Sequence, residues 1–254
     1  MKLFLAGVAP WRDGGGYDPI IKEHRPYILE SFYYVDADTE RLLPLFGDFL
    51  LDSGAFTFMT TQKNAAIDWN GYVDEYAEFI KRNKVEKFFE LDIDAVVGYE
   101  TVKQLRKRLE NKTGRPCIPV WHRSRGKDEF VRMCDEYRYV AIGGYVAGLK
   151  ENRAETRRYE AAFPWFIRTA HEHGAKIHGL GYTNMQGLKK YHFDSVDSTA
   201  WTTGNRYGFL WKFNGQKMIK IDTPQGHRIG LSREAALINY SEWIKFQKWA
   251  ETHL

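Results

Sequence analysis

Two aspartates, Asp194 and Asp197, stand three residues apart in a short β-prone run and could supply a nucleophilic carboxylate. Successive side chains of a strand point to opposite faces, so a regular strand cannot direct both into one site. Asp197 lies nearer the carboxyl end of the run, which is where parallel barrels assemble their active sites. We therefore take Asp197 as the candidate nucleophile. A pair with this spacing, taken alone, more often starts or caps a turn, so the rest of the chain has to support the assignment.

The composition is that of an ordinary globular protein. The 254 residues are 43% hydrophobic and 28% charged, and no Pro/Gly/Ser-rich linker divides them. This length suits one large domain as easily as two small ones, and because no linker divides it we expect a single domain over residues 1–254. The formal net charge of +4 permits a polyanionic partner without requiring one.

The two cysteines, Cys117 and Cys134, are too few for a disulfide framework or a four-cysteine metal site. A reducing cytoplasm is the expected compartment. The apolar run at residues 1–8 is short and is soon followed by Pro10 and Trp11, so it predicts a buried first strand rather than a signal peptide. No run approaches the roughly 20 apolar residues of a membrane span.

Short apolar runs alternate with longer amphipathic ones, a pattern typical of βα units and a parallel sheet. The predicted fold is α/β: a TIM (β/α)8 barrel with an inserted β-hairpin and a C-terminal helix. The hairpin is indicated by Asn214-Gly215 between the apolar runs 209–213 and 217–221. The predicted strands are residues 3–7, 27–31, 49–53, 87–93, 117–122, 139–144, 176–181 and 194–198. The predicted helices are residues 69–82, 101–110, 129–137, 157–173, 184–190 and 234–253.

Polar residues and glycines follow nearly every predicted strand, at the edge where a parallel barrel would gather them. Any single carboxylate or hydroxyl there could instead be a helix N-cap. A Gly-Gly pair leaving a strand has a further use, because it lets a flat ligand approach the backbone closely. These strand-end residues are Asp52, Ser53, Gly54, Asp92, Asp94, His122, Gly143, Gly144, His178 and Gly179.

Five segments, taken in order, resemble the tRNA-guanine transglycosylase family. Residues 51–56 (LDSGAF) resemble the family's DSGGF segment, and residues 91–94 (LDID) resemble its base-reading FDE strand. Residues 142–148 (IGGYVAG) are similar to IGGLAVG, and residues 178–181 (HGLG) to MGVG. Residues 193–198 (FDSVDS) resemble the IDMFDC strand, which bears the family's nucleophilic aspartate. The ordered set is more specific than any one motif.

The resemblance covers about residues 27–222, hairpin included, and its departures point to one branch of the family. The cysteine-rich zinc module after the hairpin is missing, Trp121 and His122 stand where the family has a glutamine, and the chain is shorter than the bacterial tRNA enzymes. These features resemble the small phage-type members, the DNA-guanine transglycosylases, which install 7-deazaguanine bases in viral DNA. The resemblance therefore implies base exchange in a host cytoplasm. It implies a nucleic-acid partner, DNA more than tRNA, and a free 7-deazaguanine-type base.

Exchanging a purine on an intact backbone means cleaving an N-glycosidic bond and remaking it on the same face, which favours two displacements through a covalent sugar–carboxylate intermediate. The family match implies that Asp197 attacks the anomeric carbon while Asp52 acts as acid/base or holds the departing base. Asp92 would accept the N–H donors of a guanine-like edge, and Gly143 and Gly144 would offer backbone N–H groups to its carbonyl. A base inside a duplex would have to be flipped out. The other residues implied around the base are Ser53, Gly54, Phe56, Asp94, His122, Tyr145, His178 and Gly179, with Phe56, Tyr145 or Trp121 stacking on the purine.

Three alternatives stay open. The same chemistry could act on tRNA. His122 and His178, with strand-end carboxylates, could hold zinc in an amidohydrolase-like hydrolase, although the first strand carries no H-x-H and no bridging lysine is evident. A catalytically silent nucleic-acid-binding barrel is the third, and the retained carboxylates argue against it. The favoured enzyme needs neither a metal nor a cofactor.

Basic residues surround the predicted hairpin and could track a phosphate backbone. They are Arg206, Lys212, Lys217 and Lys220, interleaved with Trp211. An ordinary solvated hairpin would have the same composition. The sequence does not define the oligomeric state.

Overall fold

A curled parallel β-sheet forms the centre of this α/β fold. The computed structural model describes residues 1–7, 16–55, 57–58, 67–143, 153–222 and 233–254. Seven strands form the sheet in the spatial order β3-β2-β1-β7-β6-β5-β4, and every neighbouring pair is parallel. The strands are β1 (Lys2–Ala6), β2 (Tyr27–Ser31), β3 (Asp48–Asp52), β4 (Val120–Trp121), β5 (Tyr139–Ile142), β6 (Lys176–Gly179) and β7 (Ser195–Ser198).

Residues 87–90 connect the two edges of the sheet through backbone hydrogen bonds. On the β3 side, Leu51 N donates to Lys87 O at 3.0 Å, and Phe89 N donates to Leu51 O at 2.9 Å. On the β4 side, Ile118 N donates to Phe88 O at 2.8 Å, and Glu90 N donates to Ile118 O at 3.0 Å. The segment predicted as a strand over residues 87–93 therefore pairs on both sides, through isolated parallel bridges.

The strand predicted over residues 117–122 is shorter than expected, with β4 limited to two residues. Pro119 has no backbone N–H and cannot donate to a ladder. The next amide, Val120 N, donates 2.8 Å to the side-chain Oε1 of Glu90 instead of to a strand carbonyl. A side chain thus replaces one ladder bond, and this reduces the pairing here to a bridge.

Helices follow most of the strands and cover the outer face of the sheet. The C-terminal helix and the hairpin agree with the sequence prediction to within a residue. Four helices were not predicted: α1, α2, α4 and α9. The helices are α1 (Tyr17–His24), α2 (Ala37–Leu42), α3 (Trp69–Arg82), α4 (Asp94–Val97), α5 (Tyr99–Thr113), α6 (Lys127–Glu136), α7 (Arg153–Glu172), α8 (Met185–Lys190), α9 (Ala200–Tyr207) and α10 (Arg233–His253). The hairpin consists of β8 (Phe209–Phe213) and β9 (Met218–Asp222), paired antiparallel.

Alternating side chains divide each strand between an inner and an outer core. Phe4, Leu29 and Leu50 belong to one buried cluster inside the sheet. Their neighbours Leu5 and Ile28 pack in the cluster between the sheet and the helices. This alternation sets which strand-end side chains point inward. No helix in the described part of the chain is both long and apolar enough to cross a membrane.

The side chain of Gln247, on α10, hydrogen-bonds to the backbone of the first two strands and so attaches the last helix to them. It is fully buried. Its Nε2 donates to Leu3 O at 2.7 Å and to Tyr27 O at 2.8 Å, while its Oε1 accepts from Tyr27 N at 3.0 Å. One side chain therefore satisfies three backbone groups that would otherwise be buried without partners.

We expect Gln247→Leu to lower the free energy of unfolding by about 3 kcal/mol, because each orphaned buried polar group costs about 1–3 kcal/mol and the site relaxes in part. Urea denaturation of the two proteins measures the difference. Glu234→Gln, on an exposed position of the same helix, is the control and should change stability by less than about 0.5 kcal/mol. A loss for Gln247→Leu as small as that of the control would show that the three backbone groups find other partners.

Candidate active site

Asp52 ends β3 and is held by the turn that follows it. Its Oδ2 accepts a 3.0 Å hydrogen bond from Gly54 N. Gly54 has φ of 73°, and a Cβ there would lie 2.7 Å from Ser31 Oγ and 2.8 Å from Tyr33 N. The turn therefore requires glycine both for its backbone conformation and for space.

Helix α3 fixes the backbone on both sides of Asp52. The hydroxyl of Tyr72 donates to Ser53 O at 2.5 Å. The hydroxyl of Tyr76 lies 3.0 Å from Leu51 O and 3.1 Å from Phe89 O, so it joins β3 to residues 87–90. Tyr76 is fully buried. Two tyrosines of one helix thus set the position of the Asp52 carboxyl.

Three carboxylates converge at this end of the sheet. The pKa of Asp52 is raised from 3.8 to about 7, first by burial and then by the negative charge of Asp92, with a smaller contribution from Asp197. Hydrogen bonds from the backbone N–H groups of Gly54 and Ser53 oppose the rise. Asp52 is therefore a carboxyl that can hold or release a proton near neutral pH.

Asp197 and Asp194 point to opposite faces of β7, as the alternation of strand side chains requires. Asp197 pairs in register with Phe4 of the inner core, and its Oδ1 accepts from Gly181 N at 2.6 Å. Asp194 faces outward, where its Oδ2 accepts from Ile177 N at 2.8 Å and lies 2.9 Å from His171 Nε2. Of the two aspartates, Asp197 alone faces the carboxylates at the sheet end.

Asp92 and His122 lie close together at the carboxyl-terminal end of the parallel strands, which we call the mouth of the sheet. His122 Nε2 lies 3.3 Å from Asp92 Oδ2 and 3.9 Å from Asp94 Oδ2. Both Asp94 oxygens are held by Arg125, from Nε at 3.1 Å and from Nη2 at 2.8 Å. The charge of Asp94 is thus already compensated by Arg125, and Asp92 remains the better placed acceptor for a ligand.

Sequence inspection missed the buried ionic group behind this pair. Glu90 is fully buried, and its Oε1 accepts from Arg125 Nη1 at 2.7 Å while Arg106 Nε lies 3.0 Å from its Oε2. Arg125 also binds Asp94, so this ionic group links residues 87–90 to the pair formed by Asp92 and His122. Buried charges persist only when paired in this way. A carboxylate inside an apolar strand, as in Phe88-Phe89-Glu90-Leu91, was the available signal.

The expected role of Gly143 as a backbone donor to a ligand is corrected by the structure. Gly143 N donates to Trp121 O at 2.8 Å, and Gly143 O accepts from the Tyr159 hydroxyl. Both backbone groups are therefore used within the fold. A Cβ at this position would lie 2.7 Å from His122 Cε1, so glycine makes room for His122. Phe56, Gly144 and Tyr145 lie outside the described residues.

Two further expectations are also corrected. Trp121 points outward, is 4% exposed and donates its indole N–H to Gly126 O at 2.7 Å, so it does not stack on a ligand at the mouth. His178 is fully buried beneath Asp197 and does not line an open surface. Gly179 lies beside it at the end of β6, where a Cβ would come within 3.3 Å of the Phe193 ring. Ser53 is fully buried, and its carbonyl is the Tyr72 acceptor.

The basic side chains of the hairpin region do not all share one surface. Arg206, Lys212, Lys217 and Lys220 are all exposed. The hairpin register places Lys220 opposite Trp211 and Lys212 opposite Ile219, so the two lysines lie on opposite faces. Lys212 Nζ lies 3.6 Å from a Glu242 carboxylate oxygen.

No group of three or more His, Cys, Asp or Glu residues could hold a metal ion among the described residues. Cys117 and Cys134 are both buried as free thiols.

Comparison with known proteins gives matches among solved structures alone. An aldolase named QR15 is 12% identical with a TM-score of 0.49, over 78% of this chain and 89% of that chain. The carboxyl transferase domain from Rhizobium etli pyruvate carboxylase, with pyruvate, is 13% identical with a TM-score of 0.46, over 98% of this chain and 48% of that chain. No protein-family model and no curated protein matches.

We expect Asp52 to titrate near pH 7. Its pKa should fall in Asp92→Asn, because that substitution removes the neighbouring charge with the larger effect on the pKa of Asp52. Carboxyl ¹³C NMR of Asp-labelled protein measures both midpoints, with Asp52→Asn assigning the signal. An Asp52 signal that titrates near 4 in both proteins would contradict the expected environment.

The same shift makes stability depend on pH. The folded pKa of Asp52 lies above its ordinary value, so its proton stabilises the folded state fully below about pH 4, and this contribution is lost as pH rises through about 7. Asp52→Asn removes the dependence, so its melting temperature relative to wild type should increase from pH 4 to pH 8. Asp128→Asn, on an exposed position of α6, is the control and should give a constant difference.

Proposed function

We propose that this protein is a base-exchange transglycosylase that replaces guanine in nucleic acid with a 7-deazaguanine derivative through a covalent aspartate–sugar intermediate. The observation that carries the proposal is that the carboxyl groups of Asp52 and Asp197 lie at the same end of the parallel sheet and have different hydrogen-bond partners. We infer also that the sheet closes as a (β/α)8 barrel, with residues 87–90 as its remaining strand. In that fold the site occupies the carboxyl end of the strands, where catalytic residues of barrels lie.

The two carboxyl groups suit two different roles in a double displacement. Both hydrogen bonds to Asp197 fall on Oδ1, and among the described residues no donor reaches Oδ2. Oδ2 is therefore the oxygen available to attack an anomeric carbon. Asp52, with a pKa of about 7, can give a proton to the departing base and take one from the incoming base. A carboxyl group whose pKa is raised in this way suits acid/base work beside a second carboxylate that acts as the nucleophile.

Recognition of the base is assigned to Asp92. A guanine-like edge presents N–H donors that a carboxylate can accept as charge-assisted hydrogen bonds. His122 Nε2 lies 3.3 Å from the Asp92 carboxylate and leaves that residue its remaining oxygen for the base. The family resemblance of residues 91–94 supports the same role.

DNA is the proposed acceptor, because the resemblance is to the small members without the zinc module. The target guanine would have to leave the base stack to reach a carboxylate held within the sheet end. Exposed Arg206 and Lys217 are candidates for contacts with the phosphate backbone.

We expect labelled guanine to be incorporated into DNA by the purified protein, more than into tRNA under matched salt. Incorporation should fall steeply as salt rises, because Lys and Arg binding to phosphates releases condensed counterions. Side-by-side filter assays with DNA and tRNA measure both. Incorporation into tRNA alone would replace the DNA proposal with the tRNA alternative, and none into either would contradict base exchange.

We expect Asp197→Asn to bind nucleic acid while exchange falls by several orders of magnitude, because an amide cannot attack the anomeric carbon. Wild-type enzyme incubated with nucleic acid and no free base should form an adduct that survives denaturing electrophoresis and disappears when base is added. Asp197→Asn should form none.

Asp194→Asn is the matched control, since it makes the same change on the same chain segment with the side chain on the outer face. Its exchange rate should stay close to that of wild type. An essential Asp194, or near-normal exchange in Asp197→Asn, would remove the assignment of the nucleophile.

A further inference from the structure

We infer that His178 is a positioning residue that orients Asp197 through a buried hydrogen-bond chain including Ser195 and Tyr139. The inference rests on the proposed function, in which Asp197 is the nucleophile. His178 touches Asp197 but does not reach the space where a substrate would bind.

The chain runs across three neighbouring strands on the inner face of the sheet. Tyr139 on β5 contacts the hydroxyl of Ser195 on β7. Ser195 Oγ lies 2.6 Å from His178 Nδ1, and His178 Nε2 lies 3.2 Å from Asp197 Oδ1. Ser195 and Asp197 are two residues apart on one strand, so both point inward. The register places Ser195 directly beside His178.

Packing alone does not account for an imidazole at this position. His178 is fully buried, with its ring 6.2 Å from that of Phe4 and 5.4 Å from that of Phe89. Apolar side chains of the inner cluster, Phe4 and Phe89 among them, pack around it. A buried imidazole has to place both of its nitrogens in hydrogen bonds, and here one of the two meets a carboxylate.

The chemistry of the partners fixes the direction of the chain. An ionised carboxylate accepts only, so His178 Nε2 carries the hydrogen and donates it to Asp197. The neutral ring then has an acceptor at Nδ1, which the Ser195 hydroxyl satisfies as a donor. Ser195 Oγ in turn accepts from the Tyr139 hydroxyl. The Tyr139 hydroxyl, which is protonated at neutral pH, is therefore the donor at the start of the chain.

The consequence is a carboxylate whose two oxygens are not equivalent. Gly181 N and His178 Nε2 both bind Oδ1, which fixes the rotation of the carboxylate about its last side-chain bond. Oδ2 is thereby held toward the mouth of the sheet. Displacement of a reacting group by about 1 Å can cost about 100-fold in rate, so loss of this restraint should appear in the chemical step rather than in binding.

Two substitutions of His178 separate positioning from packing. His178→Phe keeps a ring of similar size and removes the donor, while His178→Gln keeps an N–H that can occupy the place of Nε2. We expect His178→Phe to slow adduct formation in single turnover by about 100-fold, with little change in affinity for nucleic acid. His178→Gln should recover most of that loss. Equal rates in the two variants, or a normal rate in His178→Phe, would overturn the inference.

A second measurement does not depend on activity. Nitrogen-15 NMR of the histidine rings should show His178 as the neutral tautomer protonated at Nε2, and Ser195→Ala should alter that signal because Nδ1 loses its donor. A ring protonated at Nδ1 in wild type would overturn the inference even if exchange is observed. Absence of exchange in wild type, with the expected tautomer present, would instead remove the proposed function and leave the hydrogen-bond chain standing as a structural device.

Discussion

The backbone hydrogen bonds of residues 87–90 are the constraint on which the rest of this structure depends. They connect β3 to the segment before β4 and so join the two edges of the sheet. Without them the inner face of the sheet would be open, and Phe89 would not complete the inner core. Asp92 follows this segment by two residues, so the same bonds bring it near Asp52 and Asp197.

The convergence of carboxylates works against the stability of the fold. Like charges and burial both disfavour the ionised form of Asp52, and the fold offsets part of this cost with the backbone N–H groups of Gly54 and Ser53. The cost is widespread at functional sites, where pKa values are shifted because the surroundings are arranged for chemistry. Nearby charges without such a task, Glu90 and Arg125, are instead paired directly. The two groups differ in that Arg125 and Arg106 offset the burial of Glu90, whereas the neighbouring charges that act on Asp52 are those of other carboxylates.

The sequence predicted the features that follow from local periodicity. The eight pairing segments, the hairpin and the C-terminal helix were found because alternation and helical spacing are local signals. The opposite orientations of Asp194 and Asp197 followed from the same alternation. The four missed helices are short, and helices of such length carry few periods to recognise.

Contacts between distant segments could not be predicted in this way. The expectation for Gly143 failed because its N–H is taken by Trp121, a strand pairing that depends on register across the sheet. Adjacent residues of a strand face opposite sides, so Trp121 points outward while His122 points to the mouth of the sheet. Ser195 could have been predicted to face the site, because a residue two positions before Asp197 shares its face. Its partner Tyr139 could not, because it lies 56 residues earlier in the chain.

The attachment of Gln247 to the first two strands has a consequence for how the chain folds. Its hydrogen bond to Leu3 spans 244 positions, and those to Tyr27 span 220. During synthesis β1 and β2 therefore leave the ribosome long before the side chain that completes their hydrogen bonding. Topologies dominated by such distant contacts fold slowly and expose unpaired strands in the meantime. The backbone groups of Leu3 and Tyr27 that Gln247 binds are therefore without this partner until translation has passed residue 247.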